Sequence, residues 1–348
     1  MRPAAALLAV LGLLALPSGA RAVATLAEGP GDGLLAVAAG TGSAYAVVGS
    51  GDPARPFTLV RSSGRGASLL GRFGTRGAVF PDVAAGPAGV LVAHGVRTSD
   101  GLRYESSLAA SGRLGSSLPL AASTGPARIA LNGRARVAAF PDSDGDAVIG
   151  GVGPEGAPLL DALTATGPER RHFPLDLIYA LGRPLVLDLD QSGSRSDLRV
   201  LGAGVPTAPV LSVPGVRALE ATIAADKERI YVAYRAGEDA VLASAPMRPD
   251  GIWKRRRLRT RGAVGGAPAV VRVGLRTIVA TSERIGSRRD LFVRTIGPAG
   301  TFTDRLTRTG GADVGPRAAA GPDDAVYVGW TRRAVRGTPA AALLERVA

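Results

Sequence analysis

The stretch PDVAAGPAGVLVAHGVR, from Pro81, returns near the C-terminus as PRAAAGPDDAVYVGWTRR, from Pro316. Looser copies begin at Leu34, Ala127, Leu175, Glu220 and Ala269. Repetition constrains a chain more than any single motif. One short unit cannot bury its apolar side alone and must stack against copies of itself. The units start near Leu34, Pro81, Ala127, Pro174, Leu219, Pro268 and Pro316, at intervals of 45 to 49 residues.

Each unit opens with a short apolar run, a turn of Gly, Asp or Pro, and a second apolar run, which is the pattern of a β-hairpin. A third run follows: AVIGGVGPEG after Asp146, AVLASAPMRPDG after Asp239 and LFVRTIGPAG after Asp290. A fourth, more polar run closes the unit, as in APLLDALT, IWKRRRLRT and TFTDRLTRT. Four short strands at this period predict an all-β chain, a β-propeller of four-stranded antiparallel blades. The count gives seven blades, with six or eight as the alternatives. The inner runs are continuously apolar, as expected of strands sandwiched between neighbouring blades. The last unit has only three runs, PRAAAG, AVYVGWTRR and AALLERVA. VATLAEG, from Val23, is expected to supply its fourth strand, closing the ring and removing two free edges.

Met1-Arg2 precedes an apolar run from Ala4 to Leu16 and a small-residue site ending at Ala22. That run is shorter than the ~20 residues needed to span a bilayer. Residues 1–22 therefore read as a secretory leader and 23–348 as a single domain. No later segment is long and apolar enough to span. The protein is expected to be secreted, periplasmic or on the exterior of the cell envelope, and to be a monomer. The absence of cysteine excludes disulfides, a thiol nucleophile and Cys-ligated metal. The formal charge is +13, almost all of it from arginine, since Lys227 and Lys254 are the only lysines. Such a balance favours anionic partners, but export argues against nucleic acid, and none is expected.

The phrases Pro-x-x-Ala-Ala-Gly-Pro and Val-Tyr-Val-Gly-Trp, joined by an Asp or Ala-Gly turn, resemble blades of sialidase-like and TolB-like propellers. The resemblance runs over nearly all of the mature chain and implies fold alone. The Asp-box of sialidases and their Arg-Ile-Pro signature are both missing, which argues against sialidase activity.

Most catalytic templates fail on the residues. His94 and His172, the only histidines, lie in different units, and no G-x-S-x-G elbow is available to either. His94 reads as a buried strand residue and His172 as part of a linker. The G-x-G-x-x-G run from Gly151 to Gly156 precedes a strand-like segment, so it reads as a hairpin turn and not as a dinucleotide site. The basic run from Lys254 to Arg261, after Trp253, could grip a polyanion. On an outer strand, the same charges would discourage edge-to-edge aggregation.

Two acidic stretches place carboxylates at alternate positions: Asp142, Asp144 and Asp146, then Asp188 and Asp190. Carboxylates so spaced in a tight turn can converge on a hard cation. Both stretches partly resemble calcium loops of FG-GAP propellers and EF-hands, although Gly150 and Arg199 stand where a last acidic ligand is required. No cofactor is expected, with calcium on Asp142, Asp144 and Asp146 as the alternative; Asp also caps its own turn backbone. Both stretches are read as loops joining the second strand of a unit to the third. The corresponding loops of the last two units are basic, with Arg284, Arg288, Arg289, Arg332 and Arg333. One face would then be acidic on one side and basic on the other, suiting a dipolar or anionic ligand. The expected function is an exported, non-enzymatic binding propeller for a glycan, peptide or protein. The alternative is an extracellular carbohydrate-active hydrolase or lyase. A glycosidase would need two carboxyl groups about 5 to 9.5 Å apart across a cleft.

Overall fold

The computed structural model describes residues 23–28, 33–50, 52–63, 66–110, 112–133, 135–153, 158–163, 170–215, 219–308, 311–334 and 340–348. The leader read from the sequence lies outside them. Among the described residues there is no helix, and hence none long and apolar enough to cross a membrane.

The chain is all-β. After β1 (Val23–Glu28) come β2 (Leu34–Gly40), β3 (Ser43–Gly49), β4 (Phe57–Ser62) and β5 (Ala67–Phe73), which pair in that order. The next sheet holds β6 (Val79–Gly86), β7 (Gly89–Thr98), β8 (Gly101–Ala110), the two-residue β9 (Arg113–Leu114) and β10 (Leu118–Ser123). Three four-stranded sheets follow. The first is β11 (Arg128–Asn132), β12 (Ala135–Pro141), β13 (Ala147–Val152) and β14 (Pro158–Ala162). The second is β15 (Arg171–Ala180), β16 (Arg183–Ser192), β17 (Arg195–Leu201) and β18 (Leu211–Pro214). The third is β19 (Ala221–Ala225), β20 (Arg229–Ala236), β21 (Asp239–Pro246) and β22 (Lys254–Arg257). Then come β23 (Ala269–Val273), β24 (Arg276–Ile285), β25 (Arg288–Gly297) and β26 (Gly300–Arg305), and lastly β27 (Ala312–Ala320), β28 (Val326–Arg333) and β29 (Ala341–Arg346). A single parallel bridge, Arg289 to Ala312, links these last two groups into one eight-stranded sheet.

The N-terminal strand sits where the repeat arithmetic places it. β1 pairs antiparallel with β29, from Val23 opposite Glu345 to Glu28 opposite Ala341, so the first strand of the chain completes its last sheet. The first strands of successive sheets contact one another in a closed cycle, β2 to β6, β11, β15, β19, β23, β27 and back to β2. The apolar core lies between the sheets. Leu185, Leu187 and Leu198 pack against Ile223, Ile230 and Val232 of the next sheet, and Leu34, Ala46, Val48 and Val60 pack against Ala342 across the chain ends. Second strands such as β3 and β12 are buried on both faces, whereas β22 and β26 are exposed along almost their whole length. The first half of the basic run, Lys254–Arg257, is thus an edge strand, as read from its charge. Trp253 is pinned beside it, packing on the neighbouring core while its Nε1 donates to the Ala208 carbonyl at 3.0 Å.

One position of the first strand binds the ring together. Asp82 Oδ2 accepts the N–H of Ile129 at 3.0 Å, 47 residues on. Arg128 Nε donates to the Leu175 carbonyl at 2.7 Å, again 47 residues on. Asp176 Oδ2 accepts the N–H of Ile223, and Thr222 Oγ1 that of Val270. Each of these side chains reaches the first strand of the next sheet. Packing alone gives no register between neighbouring sheets, and these hydrogen bonds supply it.

Candidate functional site

The first acidic stretch is a self-capped turn. Asp142 Oδ1 accepts the N–H groups of Asp144 and Asp146, both at 2.9 Å, and the Asp142 N–H donates to the Asp146 carbonyl. Gly145, at φ +85°, takes the left-handed conformation this tight turn requires. That oxygen of Asp142 is committed to the backbone. Among the described residues, no group of three or more His, Cys, Asp or Glu side chains is arranged to hold a metal ion.

The second stretch is not a loop. β16 runs to Ser192 and β17 begins at Arg195, so Asp188 and Asp190 are strand residues, both buried. The reason lies in the hairpin. Its turn is at Leu181-Gly182, with Leu181 at φ +54° and Gly182 at φ +74°, and pairing runs from Ala180 opposite Arg183 out to Arg171 opposite Gln191. His172, read as a linker residue, is for the same reason part of β15, 3% exposed and directly opposite Asp190.

These corrections bring the acids together around an imidazole. His172 Nδ1 and Asp188 Oδ2 are 2.6 Å apart, both buried. Nδ1–H donates to the carboxylate, and Nε2 has no hydrogen-bond partner among the described residues. Burial pulls the His172 proton affinity down. The hydrogen bond from Asp188 and the charges of Asp188, Asp190 and Asp146 more than offset it, so His172 holds its proton above its ordinary value. Burial likewise pushes Asp188 up, and His172 only partly opposes this. The charges of three carboxylates thus keep the His172 end of this short bond protonated. Asp190 is also paired, 3.4 Å from Arg199 Nε, and Oδ1 of Asp146 is buried without a partner among the described residues.

His172 lines a cavity of about 410 Å³ between the third and fourth sheets. Its walls are the Thr124-Gly125 bend, the Pro141–Gly145 turn and the entry to β15. The His172 N–H donates to the Gly145 carbonyl at 3.1 Å, which fixes the imidazole-bearing strand to the neighbouring turn. Asp144, Arg170 and Arg171 are exposed at this cavity, and Ser143 stands with them. The cavity therefore carries charges of both signs beside a buried histidine.

The arginines read as basic loops are strand residues, Arg284 near the end of β24, Arg288 and Arg289 at the start of β25, and Arg332 and Arg333 at the end of β28. The reason is that these hairpins pair out to their tips, and several of the arginines are already engaged. Arg332 Nε pairs with buried Asp313 at 2.9 Å, Arg288 lies 3.7 Å from Asp290, and Arg289 donates to the Ala263 carbonyl at 3.2 Å. Arg284 is exposed and donates to the Gly286 carbonyl, and Arg333 is exposed. Beneath them, Glu283 and Arg294 form a fully buried ion pair at 2.6 Å. The structure does not bring these arginines to the acids around His172; they belong to the last two groups of strands.

Two further carboxylates line a central cavity of about 450 Å³. Burial pushes Asp82 and Asp176 up, with arginine charges and backbone hydrogen bonds opposing. Each uses both oxygens as acceptors, Oδ1 from the N–H of the next residue and Oδ2 from the neighbouring sheet. They brace the ring and are poorly placed for acid–base work. His94 is a buried strand residue, as read, with Nε2 3.9 Å from Glu105.

No family model matches the chain, and no curated protein matches it. Solved structures do. A protein of unknown function from Dyadobacter fermentans DSM 18053 superposes with a TM-score of 0.55 at 12% identity, covering 93% of this chain and 98% of that one. The β-propeller domain of the Trilobed protease from Pyrococcus furiosus, which has an open velcro topology, gives 0.54 at 12% identity over 89% and 94%. A prolyl endopeptidase gives 0.53 at 14% identity over 90% of this chain and 50% of that one, so the likeness spans half of that enzyme's length. At such identities the likeness is one of fold, and with the repeated four-stranded sheets it shows the chain to be a β-propeller.

Proposed function

We propose that this chain is an exported, monomeric, seven-bladed propeller that binds a ligand without transforming it, at the cavity between its third and fourth blades. The closed cycle of first strands supports the blade count. The observation that carries the binding reading is His172. Its Nδ1 is fixed by Asp188, while Nε2 is buried beside a 410 Å³ cavity with no partner among the described residues. A buried polar atom left unsatisfied costs free energy that packing does not return. Such a cost is understandable when a ligand group meets it. The charges of Arg170, Arg171 and Asp144 around the cavity suit a hydroxyl-rich, acidic glycan better than an apolar peptide.

The same imidazole favours a second reading. An imidazole oriented by a carboxylate is equipped to move a proton, which is what a carbohydrate lyase or hydrolase would need. Thermal melting of the mature chain against neutral and anionic glycans, with Ca²⁺ and EDTA arms, separates the readings. A ligand that binds only the folded state raises the melting point. Binding predicts a rise with an anionic glycan that His172→Phe and Arg171→Ala both diminish, with the glycan recovered intact and no response to Ca²⁺ or EDTA. Cleavage of the glycan, lost in His172→Phe, would establish the enzyme. No rise with any glycan, or an equal rise in both variants, would reject this site.

A further inference from the structure

Asp82, Arg128, Asp176, Thr222 and Arg317 all line the central cavity of about 450 Å³. They occupy equivalent places in the repeat. Asp82 lies opposite Ala93, Arg128 opposite Ala139, Asp176 opposite Leu187, Thr222 opposite Ala233 and Arg317 opposite Gly329, each pair joining a first strand to its second. Bulges in β6, β15 and β27 end at Asp82, Asp176 and Arg317, and a bulge re-aims the side chain that follows it.

Four of the five are engaged with the next sheet through their oxygens or Nε. Arg317 is the exception. The first strand beyond it is β2, and the bond equivalent to that of Arg128 would run to a β2 carbonyl. Arg317 makes no hydrogen bond and no ion pair among the described residues. Asp82 and Asp176, whose oxygens each accept a backbone N–H group, act on Arg317 through their charge and not through a hydrogen bond. Arg128 spends only Nε on Leu175. The remaining N–H groups of its guanidinium, together with all five of Arg317, are available within one cavity. The two cations are close enough to influence each other: burial first, then the Arg128 charge, pull the Arg317 proton affinity down, against Asp82, Asp176 and Glu220.

A planar fork without a partner in a concave site is the donor set that carboxylate and phosphate groups satisfy. We propose that the central channel is a second ligand site, in which Arg317, assisted by Arg128, grips the oxyanion group of a small carboxylate- or phosphate-bearing molecule. The cavity admits a molecule of roughly ten to twenty heavy atoms, at the small end of the usual range for ligand pockets. This site is separate from the His172 cavity, with which it shares no lining residue.

The test uses the mature protein, citrate and inorganic phosphate as probes, and sodium chloride at matched ionic strength as control. Melting and isothermal titration are followed in the wild type, Arg317→Met, Arg317→Lys and His172→Phe. The expected result is a rise in melting point and a measurable Kd with citrate, phosphate or both. Arg317→Met should weaken that Kd by about tenfold or more, the size of a lost charge-assisted bond. Arg317→Lys should weaken it less, and His172→Phe should leave it unchanged. Citrate alone would assign a carboxylate site and phosphate alone a phosphate site. In chloride, Arg317→Met should melt at or above the wild-type temperature, because an unpaired cation has been replaced by an apolar chain. A structural arginine would behave in the opposite way. No rise with either anion, an equal rise in Arg317→Met, or a lower melting point of Arg317→Met in chloride would each overturn the proposal. Should Arg317→Met fail to fold, its failure shows the arginine to be structural and counts against the proposal.

Discussion

His172 Nδ1 and Asp188 Oδ2, on adjacent strands of the fourth sheet, meet at 2.6 Å in a buried site where Nε2 of the same ring has no partner among the described residues. A polar pair this deep stiffens the hairpin. Its protonation should be readable in stability.

His172 holds its proton above the ordinary value of 6.5. A histidine raised in the folded state contributes stability that is whole below its unfolded value and is lost as pH rises through the folded one. Asp188, Asp82 and Asp176 are also raised, and give the same sign of slope at acid pH. His94, pulled down mainly by burial, gives the opposite sign, losing stability as pH falls below 6.5. The difference between wild type and His172→Asn isolates the His172 contribution. Wild type should lose its advantage as pH rises above 6.5, measured by melting from pH 5 to 9.

The ring bonds between sheets should matter individually. Asp176→Ala leaves the N–H groups of Ile223 and Leu177 without their acceptor. The expected loss is about 1–3 kcal/mol, the cost of stranding a buried donor. Asp176→Asn, which keeps a carbonyl acceptor, should lose less. Denaturant unfolding with unchanged m-value checks this.

Much of this architecture is legible before any coordinates. The 45-to-49-residue period, the three-run last unit and the apolar inner strands lead to the sheets and to the pairing of Val23–Glu28 with β29. The site is less legible, and the reason is register. Asp188 and Asp190 look like a turn because alternate carboxylates beside Gly193 are typical of one. Counting outward from the Leu181-Gly182 turn places His172 within the strand, and the bulge between Pro174 and Asp176 then moves its partner from Gln191 to Asp190. The strand is legible in the hairpin; the bulge is not. The ring at Asp82, Arg128, Asp176, Thr222 and Arg317 is hidden differently. Bulges in three of the strands shift the count, and the residue types change from one repeat to the next.

Glu283 and Arg294 give a sharper stability test. Arg294 also donates to Thr281 Oγ1 and to the Arg259 carbonyl, and both charged groups are almost wholly buried. Removing one partner strands the other charge. Glu283→Ala should cost about 3–5 kcal/mol, and the double replacement Glu283→Leu with Arg294→Met much less. Equal losses in the two proteins would mean that packing, not charge, dominates there.

Closure by the N-terminal strand is open to deletion. Removing Val23–Glu28 frees the edge of β29, which carries Leu343 and Leu344. An exposed strand edge invites association. The shortened chain should melt lower and elute as larger species in size-exclusion chromatography, whereas the mature chain should elute as a monomer.

The central claim is that His172 is kept for a ligand and not for packing. Because the chain has only two histidines, ¹⁵N-histidine NMR can follow both rings, with a His94 variant supplying the assignment. The account predicts that His172 carries its proton on Nδ1 when neutral, titrates above its ordinary value, and shifts at Nε2 when an anionic glycan is added, while His94 stays still. A His172 signal that titrates at the ordinary value and ignores every glycan tested would contradict it.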